Sequence, residues 1–227
     1  LLVVMLASLL LLADSRLPAG GHAHSGTLAA AVAEGLVVDV PTLDLFCRGR
    51  LHTSGAMAAV FAARSATLAH GANAWTSDLD ELDVGWDART PSGASRNASR
   101  AQGQGLLRVA RSAWPSPVVT SAPGRPHHAV ALGVVTAAAG GSAPDAALLA
   151  VTTSVTANCS AAIRLLGLDP FAVTRLQADL ASEMDAVAAD AMRWAEVGVL
   201  SLPAQGAPNL ELLSQRHQRS EVRLFAS

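Results

Sequence analysis

Histidine is the residue type here with the most chemical reach. His22 and His24 flank Ala23, and His127 and His128 are adjacent. Imidazole is a good ligand for nickel or zinc. Spacing of i,i+2 suits extended chain, and no cysteine or carboxylate near either pair completes a ligand set; Asp14 is the nearest acid to the first pair. The expectation is therefore hydrogen-bonded structural or exposed histidines, with no resident metal. The alternative is a metal-dependent enzyme using these clusters.

Other catalytic signatures are missing. There is no phosphate loop, and no G-x-S-x-G, H-E-x-x-H or C-x-x-C. Gly103-x-Gly105 is too short for a dinucleotide fingerprint and follows no strand. It reads as glycines permitting close helix packing or a local break. No catalytic residue and no cofactor are expected. Cys47 and Cys159 are too few for a disulfide framework or a zinc site, and both sit in apolar patterns as small buried hydrophobes.

Bulk composition narrows the class further. The 227 residues are 51% hydrophobic and 15% charged, which is enough for one sizeable core. The low charged fraction has two readings: apolar surface covered by a partner, or an alanine-rich chain whose small side chains inflate the count. All sixteen basic residues are arginine, a bias expected of a GC-rich bacterial genome. The net charge of −2 argues against nucleic-acid binding. A bacterial cytoplasmic setting is expected, in which the sequons at Asn97 and Asn158 carry no sugar.

The elements that must position these residues are helical throughout. Leu1–Leu12 is apolar but lacks a basic leader and is shorter than the roughly 20 residues of a spanning helix, so it reads as a core helix with no membrane role. The alternative is a membrane anchor. Further helices are expected over Thr27–Val38, from Pro41 to about His52, over Thr53–Ala69, Ser95–Trp114 and His127–Ala139, and from Pro144 to Leu166. Asp169-Pro170 supplies an N-cap and first-turn proline for Phe171–Glu196. Val151–Thr156 leans towards strand, but its length and alanine-rich flanks favour helix. Pro115–Pro126 is a breaker-rich linker. Asp78, Asp80, Glu81, Asp83 and Asp87 form an acidic block. Arg89, Arg96, Arg100, Arg108 and Arg111 follow with no acid between them. That segregation reads as a solvated helix face or as a docking surface for an acidic partner. The fold expected is an all-α, single-domain helical bundle over residues 1–208, with a flexible C-terminal tail over 209–227 that is frayed unless it docks on something.

Three stretches, in order along the chain, resemble one family. Leu11–Gly26 is similar to an apolar helix followed by an S-x-L-P-x-G-[GA]-x-x-[HY]-S-x-G loop. Ala98–Leu107 is similar to a central S-x-x-Q-G-x-x-L-L element. Arg216-His217 and Arg223-Leu224-Phe225-Ala226-Ser227 are similar to an R-H…R-L-F-x-S ending. Weaker matches lie at His128…Gly133 and Ala161–Leu165. These are signatures of the urease accessory protein UreF family. His22 replaces an aromatic common in the family, His24 replaces a tyrosine, and residues 73–93 match nothing.

The resemblance implies a non-catalytic, all-α homodimer. It implies assembly with a UreD/UreH-type accessory protein, a UreG-type GTPase and the urease apoprotein, to deliver nickel and regulate the GTPase. The partner-binding residues it implies are Ser15, Pro18, Gly20, His24 and Ser25 in the loop, Arg100 and Gln102 in the central helix, and Arg216, His217, Arg223, Leu224 and Phe225 in the tail.

Overall fold

The computed structural model describes residues 2–18, 27–71 and 75–218. Among the described residues the regular structure is helical and there is no strand. In chain order the α-helices are α1 (Leu2–Ala13), α2 (Leu28–Ala33), α3 (Val40–Arg50), α4 (Ala56–His70), α5 (Trp75–Arg89), α6 (Gly93–Ala113), α7 (Pro117–Ser121), α8 (His128–Ala138), α9 (Ala143–Leu166), α10 (Pro170–Asp179), α11 (Ala181–Ala191) and α12 (Pro208–Gln218). The all-α expectation holds.

Local chemistry sets many of the boundaries. Asp39 caps α3: its carboxylate accepts from the Thr42 amide at 2.9 Å, and Thr42 Oγ1 accepts from the Asp39 amide at 3.1 Å. Asp145 closes the same kind of box at the start of α9 by accepting from the Ser142 amide at 2.7 Å. Asp169 caps α10, as the sequence predicts, accepting from the amides of Phe171 and Ala172. The β-branched run in α9 stays helical. Thr153 and Thr156 return their hydroxyls to the carbonyls of Leu149 and Thr152, at 2.6 and 3.0 Å.

The centre of the bundle is α4, α8 and α9 packed on one another. α11 lies against α4 and α9, and α6 lies against the other side of α8. Alanines and glycine at the α4–α8 crossing bring the two backbones together. Ser65 Oγ there donates to the Val130 carbonyl at 2.7 Å, so its buried hydroxyl is satisfied. Phe61 meets Trp86 edge to face at 5.1 Å, joining α4 to α5. Arg89 fastens the chain after α11 by donating to the carbonyls of Val199, Leu202 and Pro203 at 2.9–3.0 Å. Cys47 and Cys159 are wholly buried, as expected.

Several elements differ from expectation. Residues 75–89, an acidic stretch with no predicted helix, form α5. Phe171–Glu196 divides at Leu180, a wholly buried residue at the corner between α10, packed on α3 and α9, and α11, packed on α9 and α4. The boundary expected near His52 is instead a π-helical turn, Leu51–Gly55, that joins α3 to α4 without a break. α1 is only partly a core helix. Leu12 is buried against the bundle, but Leu6, Leu10 and Leu11 face outward. α9 is the described helix long and apolar enough to cross a membrane, and 56% of its apolar stretch is buried inside the bundle. Residues 208–218, expected mostly within the tail, form a helix against α2 and α6 with Leu213 and Ser214 buried. Gln215 donates to Ser92 Oγ at 2.9 Å and Glu211 accepts from the Ser92 amide at 2.8 Å.

Candidate functional site

The acidic block and the arginine run meet each other inside the molecule. α5 presents Leu79, Leu82 and Trp86 to the core, and the same turn carries Asp83 inward. α6 brings Arg100 to it. Arg100 Nη1 donates to Asp83 at 2.7 Å and Nη2 to Asp87 at 2.6 Å, while the Arg125 carbonyl accepts a further bond from Nη1. The His127 amide donates to Asp83 at 2.6 Å, and His127 Nε2 lies 2.9 Å from Asp87. Arg96 stands 3.6 Å from Asp87. The rest of the block, Asp78, Asp80 and Glu81, stays exposed, as do Arg108 and Arg111. The charge pattern thus divides into a solvated face and an internal network.

Burial sets the protonation states in this network. His127 is fully buried beside Trp86, and burial pushes its imidazole down from the ordinary 6.5 despite the nearby Asp83 and Asp87. The neutral ring donates from Nε2 to Asp87, which leaves Nδ1 as the bare nitrogen. Burial also pushes the Asp87 carboxyl up. Hydrogen bonds from His127 and Arg100 outweigh that and hold it below 3.8.

The consequence for stability has a definite sign. Below 6.5 the unfolded imidazole takes up a proton that the folded one resists. The histidine's contribution is therefore complete above 6.5 and is lost as pH falls below it. Asp87 adds stability above 3.8 that is lost only in stronger acid. The urea midpoint is expected to fall between about pH 7.5 and about pH 5.5, and His127→Gln to flatten part of that slope. Identical slopes for the two proteins would contradict this account of His127.

Next to this network lies a cavity of about 820 Å³. Its walls come from the end of α1, the π-turn, α6, α8 and α9. Two of the three signature stretches, and both weaker matches, reach it. Ser15 comes from the first, Ser99 and Gln102 from the second, and His128, Ile163 and Arg164 from the weaker matches. Arg50, Ser54 and Asn158, which sequence reasoning missed, line it as well. The available signal was an asparagine in the middle of an alanine-rich helix.

The remaining predicted site residues are dispersed. Pro18 is exposed beyond α1. Arg100 faces the internal network, and Gln102 is half-buried at the cavity. Arg216 is 65% exposed at its side chain and pairs with Glu34 at 3.0 Å. Gly20, His22, His24, Ser25, Arg223, Leu224, Phe225 and the His217 side chain lie outside the described residues. Among the described residues no group of three or more His, Cys, Asp or Glu is placed to hold a metal ion.

Comparison with known proteins agrees with the signature. The UreF family model matches residues 37–181. The chain is 45% identical over 223 residues to the urease accessory protein UreF of Mycolicibacterium vanbaalenii, covering 98% of this chain and 99% of that one. It is 45% identical to the protein of the same name from Mycobacterium sp. strain JLS and 40% identical to that of Mycobacterium tuberculosis, again over 98% of this chain and 99% of each relative. With the helical fold and these full-length matches, this chain belongs to the UreF family of urease accessory proteins.

Proposed function

We propose that this chain is a non-catalytic maturation chaperone for urease. It forms a cytoplasmic homodimer and assembles with a UreD/UreH-type accessory protein, a UreG-type GTPase and the urease apoprotein. Its role is to help deliver nickel into the apoenzyme and to regulate the GTPase. The observation that carries this reading is the near full-length identity of 40–45% to proteins named urease accessory protein UreF. Outward leucines on α1 support it, because an apolar helix face of that kind favours assembly.

Function then resides in surfaces. The Ser15–Gly26 loop, with Ser15, Pro18, Gly20, His24 and Ser25, is one docking element. The tail, with Arg216, His217, Arg223, Leu224 and Phe225, is another, and Leu224-Phe225 is its apolar anchor. Gln102 and Arg100 act from α6, Arg100 by holding that helix to α5.

The test is co-purification with a UreD/UreH-type partner. The full chain is expected to retain the partner. Deleting residues 219–227, which spares α12, is expected to abolish retention. Failure of the full chain to retain any urease maturation factor would overturn the reading as a whole. Undiminished retention by the truncated chain would remove the tail's part in it.

A further inference from the structure

One turn of the chain holds a leucine out in solvent. After α11 a short 3-10 turn, Val199–Ser201, is flanked by buried Val199 and Leu202 and leaves Leu200 between them 92% exposed. No other large apolar side chain among the described residues is as open. Single exposed leucines are ordinary on protein surfaces. This one is set apart by its mounting. Arg89 donates to the carbonyls of Val199, Leu202 and Pro203, and to that of Gly85 on its own helix, at 2.9–3.0 Å. The amides of Ser201 and Leu202 close the turn on the carbonyls of Gly198 and Val199. Gly85 completes the seat, because a Cβ there would run into Val199 Cγ1.

The surroundings define what fits against it. Val84, next to Gly85 on α5, is 65% exposed, so the contact between Gly85 and Val199 has an open apolar side chain beside it on each element. The unpaired exposed charges nearby are carboxylates. Asp80 and Glu81 lie about one turn before Val84 on the same outward face, Asp78 lies beyond them, and Glu196 precedes the 3-10 turn. None of the four is in an ion pair among the described residues. Arg89 and Arg64 are half-buried on backbone carbonyls, and Arg193 pairs with Asp190 at 2.9 Å. Four exposed carboxylates against two half-buried guanidinium groups leave the patch negative.

We propose that Leu200 and Val84 form a docking knob for a partner protein that offers an apolar pocket bordered by lysine or arginine. The inference rests on reading this chain as an assembly factor. A knob already fixed in its bound shape loses little conformational freedom on docking, so more of its burial appears as affinity. The acidic margin steers a basic partner towards it and suppresses others. A nucleic acid or an anionic bilayer would be repelled by the same carboxylates. A second copy meeting this face with its own would set acid against acid.

Titration of the full chain against a UreD/UreH-type protein, a UreG-type GTPase and apo-urease, each purified and then in combination, tests this. At least one partner is expected to bind, with an affinity that falls as salt rises. Leu200→Ala should weaken that binding by about tenfold or more, the effect of losing most of a buried leucine. It should leave the thermal midpoint of the free chain unchanged, since the side chain it shortens is 92% exposed. Asp80→Asn with Glu81→Gln should weaken binding by about threefold to tenfold at low salt and flatten its salt dependence. Binding that Leu200→Ala leaves unchanged in every combination would overturn the proposal and leave the chaperone reading intact. Loss with Leu200→Ala but no response to salt or to the paired acid substitutions would overturn the basic border assigned to the partner. A parent chain that binds none of the three would overturn the chaperone reading itself, and this inference with it.

Discussion

Gly133→Ala is expected to destabilise the chain by about 3 kcal/mol, in the upper part of the range for overpacking a core. Gly133 lies on α8 where it crosses α4. A Cβ built there would run into the Ala62 carbonyl oxygen and would stand 2.6 Å from Ser65 Cβ and 2.7 Å from the Ala66 amide nitrogen. These neighbours are mostly backbone of α4, and no rotamer change moves them aside. Relief requires the two helices to separate, which would loosen the Ser65 bond to Val130 and thin the packing at the centre of the bundle. Gly49→Ala is the matched control. Gly49 is exposed on α3 with nothing within 4 Å of the added Cβ, so the substitution there should stabilise by about 0.5–1 kcal/mol through helix propensity. Urea unfolding midpoints of the two variants should move in opposite directions. Equal midpoints for Gly133→Ala and the parent would show that the crossing is not held at that distance.

Glycine is also where sequence and structure agree most closely. Of the two readings of Gly103, close packing holds and a helix break does not: α6 runs through it, and a Cβ there would meet the carbonyl oxygen of Pro126 and stand 3.0 Å from His127 C. That approach seats His127 against α5 and α6. Helix limits marked by local chemistry were equally legible. Asp169-Pro170 is an example, because the cap bonds are made within the next three residues.

What depended on distant residues was not legible. The acids of α5 hid its helical signal, although Leu79, Leu82 and Trp86 recur at core spacing. Nothing near Leu180 in sequence marks the corner between α10 and α11. Its burial against neighbouring helices does. The cavity is the clearest case. The signature stretches were recognisable by type and order, but Ser15, Gln102, His128 and Arg164 share a wall only because α1, α6, α8 and α9 pack together. Arg50 and Ser54 join them through a π-turn that no residue in Leu51–Gly55 announces.

The internal ion network carries the second large effect. Arg100→Met is expected to cost about 2–3 kcal/mol, below the full cost of orphaning a deeply buried charge because Arg100 is 25% and Asp87 37% exposed at their side chains. Asp83 is the residue left most exposed to the loss electrostatically. Its side chain is 11% exposed, and only the His127 amide would remain bonded to it. Arg100→Lys should recover part of the stability at most. One ammonium cannot reproduce the two-pronged grip on Asp83 and Asp87 while also donating to the Arg125 carbonyl. Adding Asp83→Asn to Arg100→Met should restore some stability, since the buried charge that lost its partner is then removed along with it. This series also separates two roles for Arg100. If it works by holding α6 to α5, then Asp83→Asn alone, on a different helix, should weaken retention of urease maturation factors in proportion to its loss of stability. If Arg100→Met unfolds at the parent's urea concentration yet loses its partners, the guanidinium acts at the partner surface and the network is incidental.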